Sequence, residues 1–188
     1  LGLLYDVHWP FYQYKTSRGV RRLPLHEQHA KAGACFGELA GWERPNWYAP
    51  QGELPIYKYT FKRQNWFKHS AFEHGSVRED VGLIDMSSFA KIRFQGADAE
   101  PVLNRICAGN VAVEPGRTVY TQWLNTRGGI ESDLTVTRLA HDDYMIITSA
   151  GSQIRDMHWL RTNTPADARC IATDVTSGYA VIAIMGPR

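Results

Sequence analysis

Between Tyr120 and Leu139 the sequence YTQWLNTRGGIESDLTVTRL sets two strand-like runs on either side of a Gly-Gly pair, and this commits the segment to a chain reversal within a sheet. The first run, 118–124, is rich in β-branched and aromatic residues, and the second, 134–137, alternates apolar with polar side chains. Gly128 and Gly129 supply the positive φ values that such a reversal needs. Asp133 is expected where the chain leaves the turn and re-enters a strand, its carboxylate facing a cleft that the sheet holds rigid. An Asp after Gly-Gly more often caps the turn through an Asx-type hydrogen bond, so from the hairpin alone both readings stand.

Around this hairpin the chain divides into two styles. The first 72 residues hold four of the six tryptophans and are interrupted by Pro10, Pro24, Pro45, Pro50 and Pro55. Long helices are excluded there except over 25–39, where Pro24 stands near a first turn. Residues 58–61 read as a strand fragment inside a surface insertion that Trp66 and Phe67 anchor. From Phe72 the pattern is regular: a helix over 72–81 with a stop at Gly82, strands at 83–85 and 91–94, and a helix over 100–106 capped by Asp98. Then come the hairpin, a polar turn at Asp142-Asp143, a strand at 144–148, a helix over 152–161, and strands at 169–174 and 179–185. This order predicts an α+β fold, a mostly antiparallel sheet with flanking helices.

Charge and cysteine usage remove several function classes. Twenty-one basic against 19 acidic side chains leave a net charge of +2, without the clustered basic face that nucleic acid requires. The tightest basic run, 15–22, reads as a solvated linker. No apolar stretch approaches the ~18 residues of a membrane span, and no targeting segment opens the chain. Both ends read as cut, since the chain starts at Leu1 without Met and stops just after an apolar strand-like run. Cys35, Cys107 and Cys170 form no CxxC pair, so no disulfide framework or zinc knuckle is expected and each reads as a small core residue. His26 and His29 share helical i, i+3 spacing, but nothing elsewhere completes a metal site, and no metal is expected. No G-x-G-x-x-G, P-loop or G-x-S-x-G motif occurs.

A family resemblance is carried by ordered blocks. Pro24-Leu25-His26-Glu27-Gln28-His29, Gly33-Ala34, Gly41-Trp42, Pro45 and Tyr48 resemble the opening of the folate-binding aminomethyltransferase of the glycine cleavage system, the T-protein. Glu73-His74, Val77-Arg78 and Gly82 to Ser87 resemble its next block. Gly96, Leu103-Asn104, Pro115-Gly116, Tyr120-Thr121, Leu124-Asn125, Gly128-Gly129-Ile130, Asp133-Leu134 and Gly186-Pro187 continue it in order. Residues 1–21, with Tyr5 to Pro10 and Lys15 to Gly19, and the run Gly41 to Tyr48, are similar to the dimethylglycine and sarcosine dehydrogenase (oxidase) family, in which a folate domain follows a flavin domain.

The resemblance implies that 1–21 is the tail of an upstream flavin-dependent amine oxidoreductase domain and that 22–188 is the N-terminal part of a truncated folate-binding, aminomethyltransferase-like domain. It implies tetrahydrofolate as the group bound here, FAD in the missing upstream domain, and the remaining domains of the parent chain as partners. The implied reaction oxidises an N-methylated amine and captures the one-carbon unit as methylene-tetrahydrofolate. Asp133 matches the second acidic position of the family motif Gly-Gly-x-x-[Asp]-Asp-Leu and becomes the catalytic base, which reverses the odds against a turn cap. Ser132 stands at the first acidic position, so one helper carboxylate is expected to be lost. Tyr120 matches an aromatic position lining the folate pocket, and Ile147 and Ser149 match pterin contacts, although the glycine-cleavage branch often carries Asn where Ser149 stands. Met86 and Phe89 are expected to pack on the ring or in the core. The isolated segment is expected to be inactive. The implied location is the cytoplasm for a bacterial source and the mitochondrial matrix for a eukaryotic one. A non-catalytic folate-fold scaffold, a free-standing aminomethyltransferase and a sulfur-compound demethylase are the alternatives.

Overall fold

The computed structural model describes residues 12–188, so the expectations for Tyr5 to Pro10 lie outside the described residues. Two compact units result, the first formed by residues up to Met86 together with Ile182–Arg188, the second by Ser87–Val181. The fold is α+β, as expected, with antiparallel pairing throughout except for one two-residue strand.

The first unit opens with strand β1 (Arg21–Arg22) and helix α1 (His26–Lys31), followed by β2 (Ala34–Leu39) and β3 (Trp42–Tyr48). The helix expected over 25–39 is therefore only six residues long, for a local reason. Gly33 takes φ +84°, and a Cβ there would lie 2.4 Å from the Ala49 carbonyl oxygen, so the chain turns out of the helix where only glycine fits. Residues 34–39 then pair with β3 through Ala40 and Gly41, both at positive φ, a combination that matches a type I′ hairpin. Pro45 is tolerated inside β3 because it faces Phe36 next to a register shift between Cys35 and Phe36. No strand forms at 58–61; Tyr57 and Tyr59 instead stack with ring centroids 5.6 Å apart. Trp66 packs against the cluster of Cys35, Trp47 and Ala49, as does Tyr57, whereas Phe67 is exposed beneath the Arg63 guanidinium, so of the expected pair the tryptophan alone anchors the insertion. Helix α2 (Phe67–Glu79) begins five residues earlier than expected, and β4 (Gly82–Asp85) pairs with β10 (Ile182–Met185).

The basic run 15–22 is exposed at Lys15, Thr16, Ser17, Val20 and Arg22, as a solvated linker would be, but it is tied down at Arg18, Gly19 and Arg21. Arg18 grips Glu43 with Nε to Oε1 at 2.7 Å and Nη2 to Oε2 at 2.5 Å, the Gly19 amide donates to Oε1 at 2.7 Å, and the Arg21 guanidinium lies over the Trp42 ring. Glu43 is buried, and its bond from Arg18 holds the carboxyl below its usual range against the opposing effect of burial. A folded-state pKa below the unfolded one stabilises the chain above the unfolded pKa of about 4.3, and this contribution disappears as pH falls through the folded value. The urea midpoint is therefore expected to drop between roughly pH 5 and pH 3, more steeply than in Glu43→Gln. Equal slopes for the two proteins would remove Glu43 from the acid transition.

In the second unit, β5 (Ala90–Gln95), β6 (Thr118–Leu124), β7 (Ile130–Ala140), β8 (Asp143–Thr148) and β9 (Ile171–Asp174) form an antiparallel sheet in the order β6-β7-β8-β5-β9. Helix α3 (Ala99–Ile106) buries Ala99, Val102, Leu103 and Ile106, the i, i+3, i+4, i+7 stripe of an amphipathic helix. With Met157 and Leu160 of α4 (Gln153–Thr162) these pack on Ile92, Phe94, Trp123, Leu134, Val136, Tyr144 and Ile146, leaving the opposite sheet face to polar and mixed side chains. Asp98 stands at the N-cap of α3 but makes no cap bond. Its carboxylate is taken by Arg169, through the backbone amide at 2.7 Å and the side chain at 3.2 Å. Asp143 does not sit in the turn either; it opens β8, is buried, and holds Arg93 in a two-toothed pair.

Candidate functional site

Strand alternation decides which side chains of the hairpin can meet a ligand. In β6 and β7, Thr121, Trp123, Ser132, Leu134 and Val136 point into the packed face, so Tyr120, Gln122, Asp133 and Thr135 point away from it. The ladder sets Gln122 opposite Asp133 and Tyr120 opposite Thr135, and Thr135 in turn opposite Ile147 of β8. Tyr120, Thr135 and Ile147 thus form one row across three strands, with Asp133 beside it.

Asp133 lies within β7, not at the exit of the turn, and it does not cap the turn. That role belongs to Asn125, whose Oδ1 accepts from the Arg127 amide at 3.0 Å and from the Gly129 amide at 2.9 Å. The Asp133 carboxylate is exposed, forms no ion pair among the described residues, and accepts from Tyr120 Oη on Oδ2 at 2.8 Å and from Gln122 Nε2 on Oδ1 at 3.3 Å. An ionised carboxylate offers about four lone-pair sites, so these two bonds orient it and leave an accepting position on each oxygen. Gln122 was missed from sequence, although it stands two residues from Tyr120 in a strand and alternation alone puts both on one face.

The bond to Asp133 has a measurable consequence for Tyr120. Donation to a carboxylate stabilises the phenol over the phenolate, and this raises the Tyr120 pKa. In a ¹³C-tyrosine NMR titration, the Tyr120 Cζ signal is expected to move at higher pH than that of an ordinary tyrosine, and Asp133→Asn is expected to bring its midpoint down. An unchanged midpoint in the variant would break the link.

The remaining expected residues distribute unevenly. Ser149 is exposed, one residue past the end of β8, and donates to Ser152 Oγ at 2.9 Å. Phe89 is half-buried just before β5 in the same unit, whereas Met86 belongs to the first unit. Ser132 is buried on the packed face and bonds Asp156, so a carboxylate at this position would point away from Asp133; the loss of a helper carboxylate is not what this substitution means.

His26 stacks on Phe36 with centroids 4.3 Å apart, while His29 Nδ1 meets Tyr48 Oη at 2.8 Å and Nε2 meets Asp85 at 3.2 Å, so the pair diverges. No group of three His, Cys, Asp or Glu side chains among the described residues is arranged to hold a metal. Burial pushes the Cys35 and Cys107 thiols up to about 11, far from the reactive range. The first unit holds a cavity of about 520 Å³ lined by Arg44, Tyr48, Glu73 and Leu83 among others, but its Tyr48 hydroxyl is tied to His29. No helix among the described residues is long and apolar enough to cross a membrane.

Comparison with known proteins places these observations. The family described as GCVT N-terminal domain matches residues 25–188. The chain is 43% identical over 188 residues to 4-methylaminobutanoate oxidase (formaldehyde-forming) of Paenarthrobacter nicotinovorans, covering all of this chain and 23% of that protein. It is 32% identical over 182 residues to mitochondrial dimethylglycine dehydrogenase of Rattus norvegicus, covering 96% of this chain and 21% of that protein. The solved glycine cleavage system aminomethyltransferase T from Bartonella henselae superimposes with a TM-score of 0.73 at 29% identity, over 90% of this chain and 42% of that one. The chain thus spans about a quarter of the length of these two oxidoreductases and shares the fold of an aminomethyltransferase T.

Proposed function

Because the chain belongs to the GCVT N-terminal domain family, whose members related to it include amine oxidoreductases and aminomethyltransferases, we propose that it supplies one wall of a tetrahydrofolate site in a flavin-dependent oxidoreductase of N-methylated amino acids. The observation carrying this reading is the exposed Asp133 carboxylate, oriented by Tyr120 and Gln122 on a rigid strand.

The residues present suit a flat ligand that is polar at its edge. Asp133 offers free acceptor positions, Tyr120 offers a ring that is 68% exposed, and Ile147 adds half-buried apolar surface in the same row. Tetrahydrofolate, when bound, supplies the nitrogen nucleophile that captures the one-carbon unit. Asp133 takes the proton that leaves that nitrogen, and Tyr120 and Gln122 hold the carboxylate in place while it does so. The acid formed keeps its partners, since Tyr120 Oη can accept as well as donate. No motif in this chain binds FAD, which belongs to residues outside it. The substrate class extends from dimethylglycine and sarcosine to longer N-methylated amino acids, in keeping with the name of the first oxidase relative.

Calorimetric titration of tetrahydrofolate into the full-length protein tests this reading. Saturable binding is expected, and Tyr120→Ala is expected to weaken it by roughly tenfold through loss of about 1 to 2 kcal/mol of stacking and packing. Absence of heat, repeated at two temperatures, would favour a scaffold that keeps the fold without the ligand.

A further inference from the structure

Behind Asp133, on the packed face of the sheet, lies a buried polar cluster that the proposed chemistry leaves unused. Asp156 of α4 is fully buried, and its Oδ2 accepts from Ser132 Oγ at 2.8 Å and from Thr148 Oγ1 at 2.5 Å. Its Oδ1 accepts from Arg155 Nε at 3.1 Å, and the two hydroxyls approach each other at 3.3 Å. Ser132 directly precedes Asp133 on β7, and Thr148 directly precedes Ser149 after β8. Leu134, Val136 and Ile146 continue the same buried face, so Ser132 and Thr148 set hydroxyls among apolar side chains.

Stability does not require such a cluster. A buried carboxylate with its partners costs several kcal/mol of desolvation, and well-packed apolar side chains of similar volume often serve the fold as well or better. What a satisfied buried network does provide is a unique arrangement of the elements that it ties together. Here one carboxylate fixes two adjacent strands from behind, at the residues next to Asp133 and Ser149, and locks both to α4.

We propose that Asp156 is a positioning residue for Asp133: through Ser132 and Thr148 it sets where β7 presents the base. The proposal rests on the reading of Asp133 given above. A misplacement near 1 Å can cost about 100-fold in rate, so loosening this tie is expected to act on the rate of transfer more than on ligand binding.

The test uses the full-length protein with tetrahydrofolate and whichever of sarcosine, dimethylglycine and 4-methylaminobutanoate it oxidises fastest. The combined replacement Ser132→Ala, Thr148→Val and Asp156→Leu removes the three buried polar groups at once, and Arg155, which loses its bond to Asp156, is exposed to water and keeps Ser152. Asp156→Asn is the companion variant should the combined one fail to fold. Transfer in a single turnover is expected to slow roughly 10- to 100-fold. Amine oxidation and tetrahydrofolate affinity should each stay within about threefold. In an Asp133→Asn background the same replacement is expected to have no further effect, because it acts through Asp133. Normal transfer in the folded variant, or an undiminished effect in that background, would overturn the positioning role. Normal transfer by Asp133→Asn alone would overturn the reading of Asp133 itself, and the role of Asp156 with it.

Discussion

Asp133→Asn in the full-length protein is expected to slow formation of methylene-tetrahydrofolate by roughly 100- to 10,000-fold, the usual contribution of a positioned general base. The amide has nearly the same shape, and its oxygen can still accept from Tyr120 or Gln122, so the strand and the pocket wall should persist. What the amide lacks is a basic oxygen. Tetrahydrofolate affinity is therefore expected to change less than the rate, and amine oxidation, measured as reduction of the flavin, is expected to be unaffected. Formaldehyde should then appear in solution, because the oxidised one-carbon unit hydrolyses when capture fails. Rapid-quench measurement of methylene-tetrahydrofolate against formaldehyde separates the outcomes. A variant that couples the two steps as well as the original would deny Asp133 its role.

Why Asp133 and not one of the other carboxylates stands out in the sequence as the candidate base comes down to strand geometry and a family motif acting together. The period-2 pattern identified both strands of the hairpin, and β6 has the expected bounds, Thr118–Leu124. The pattern could not say that Asn125 already satisfies the turn amides, which is what frees Asp133 from capping. Gln122 is within reach of the same alternation, but glutamine on a strand carries no distinctive chemical signal. Asp156 was hidden more deeply. In sequence it is one acidic residue on a helix, and only the packing of α4 on the sheet reveals that no solvent reaches it.

The early chain was harder to read, and tertiary context explains why. Residues 34–39, Ala-Cys-Phe-Gly-Glu-Leu, have no strong preference of their own, and the helix expected through them yields to pairing with β3. The ending of α1 depends on the approach of Ala49 to Gly33, a contact across 16 positions that no local window contains. Asp98 fails as a cap for a similar reason: its position was right, but Arg169, far along the chain, competes for the carboxylate with a backbone amide and a guanidinium together. Local rules gave the element's place and long-range partners changed what its end residue does.

Gly96 turns the same kind of long-range constraint into a stability prediction. It links β5 to α3, takes φ +132°, and donates its amide to the Asp142 carbonyl at 2.9 Å while its own carbonyl receives the Ala99 amide at 2.9 Å. A Cβ here would stand 2.1 Å from the Arg169 carbonyl oxygen and 2.7 Å from the Cys170 Cα, both backbone atoms with no rotamer to escape into. Gly96→Ala therefore combines an unfavourable φ, about 1 to 3 kcal/mol, with overpacking of about 1 to 3 kcal/mol more. In a chain of this size that amounts to a fall in Tm of roughly 10 °C. Gly116→Ala is the matched control, with φ +88° and nothing within 4 Å of the added Cβ, so it carries the strain without the clash. It is expected to cost about 1 to 2 kcal/mol. Comparable losses in the two variants, measured by thermal unfolding, would show that β9 can withdraw from Gly96 at little cost, and that the tie between Asp98 and Arg169 does not hold the strand in place.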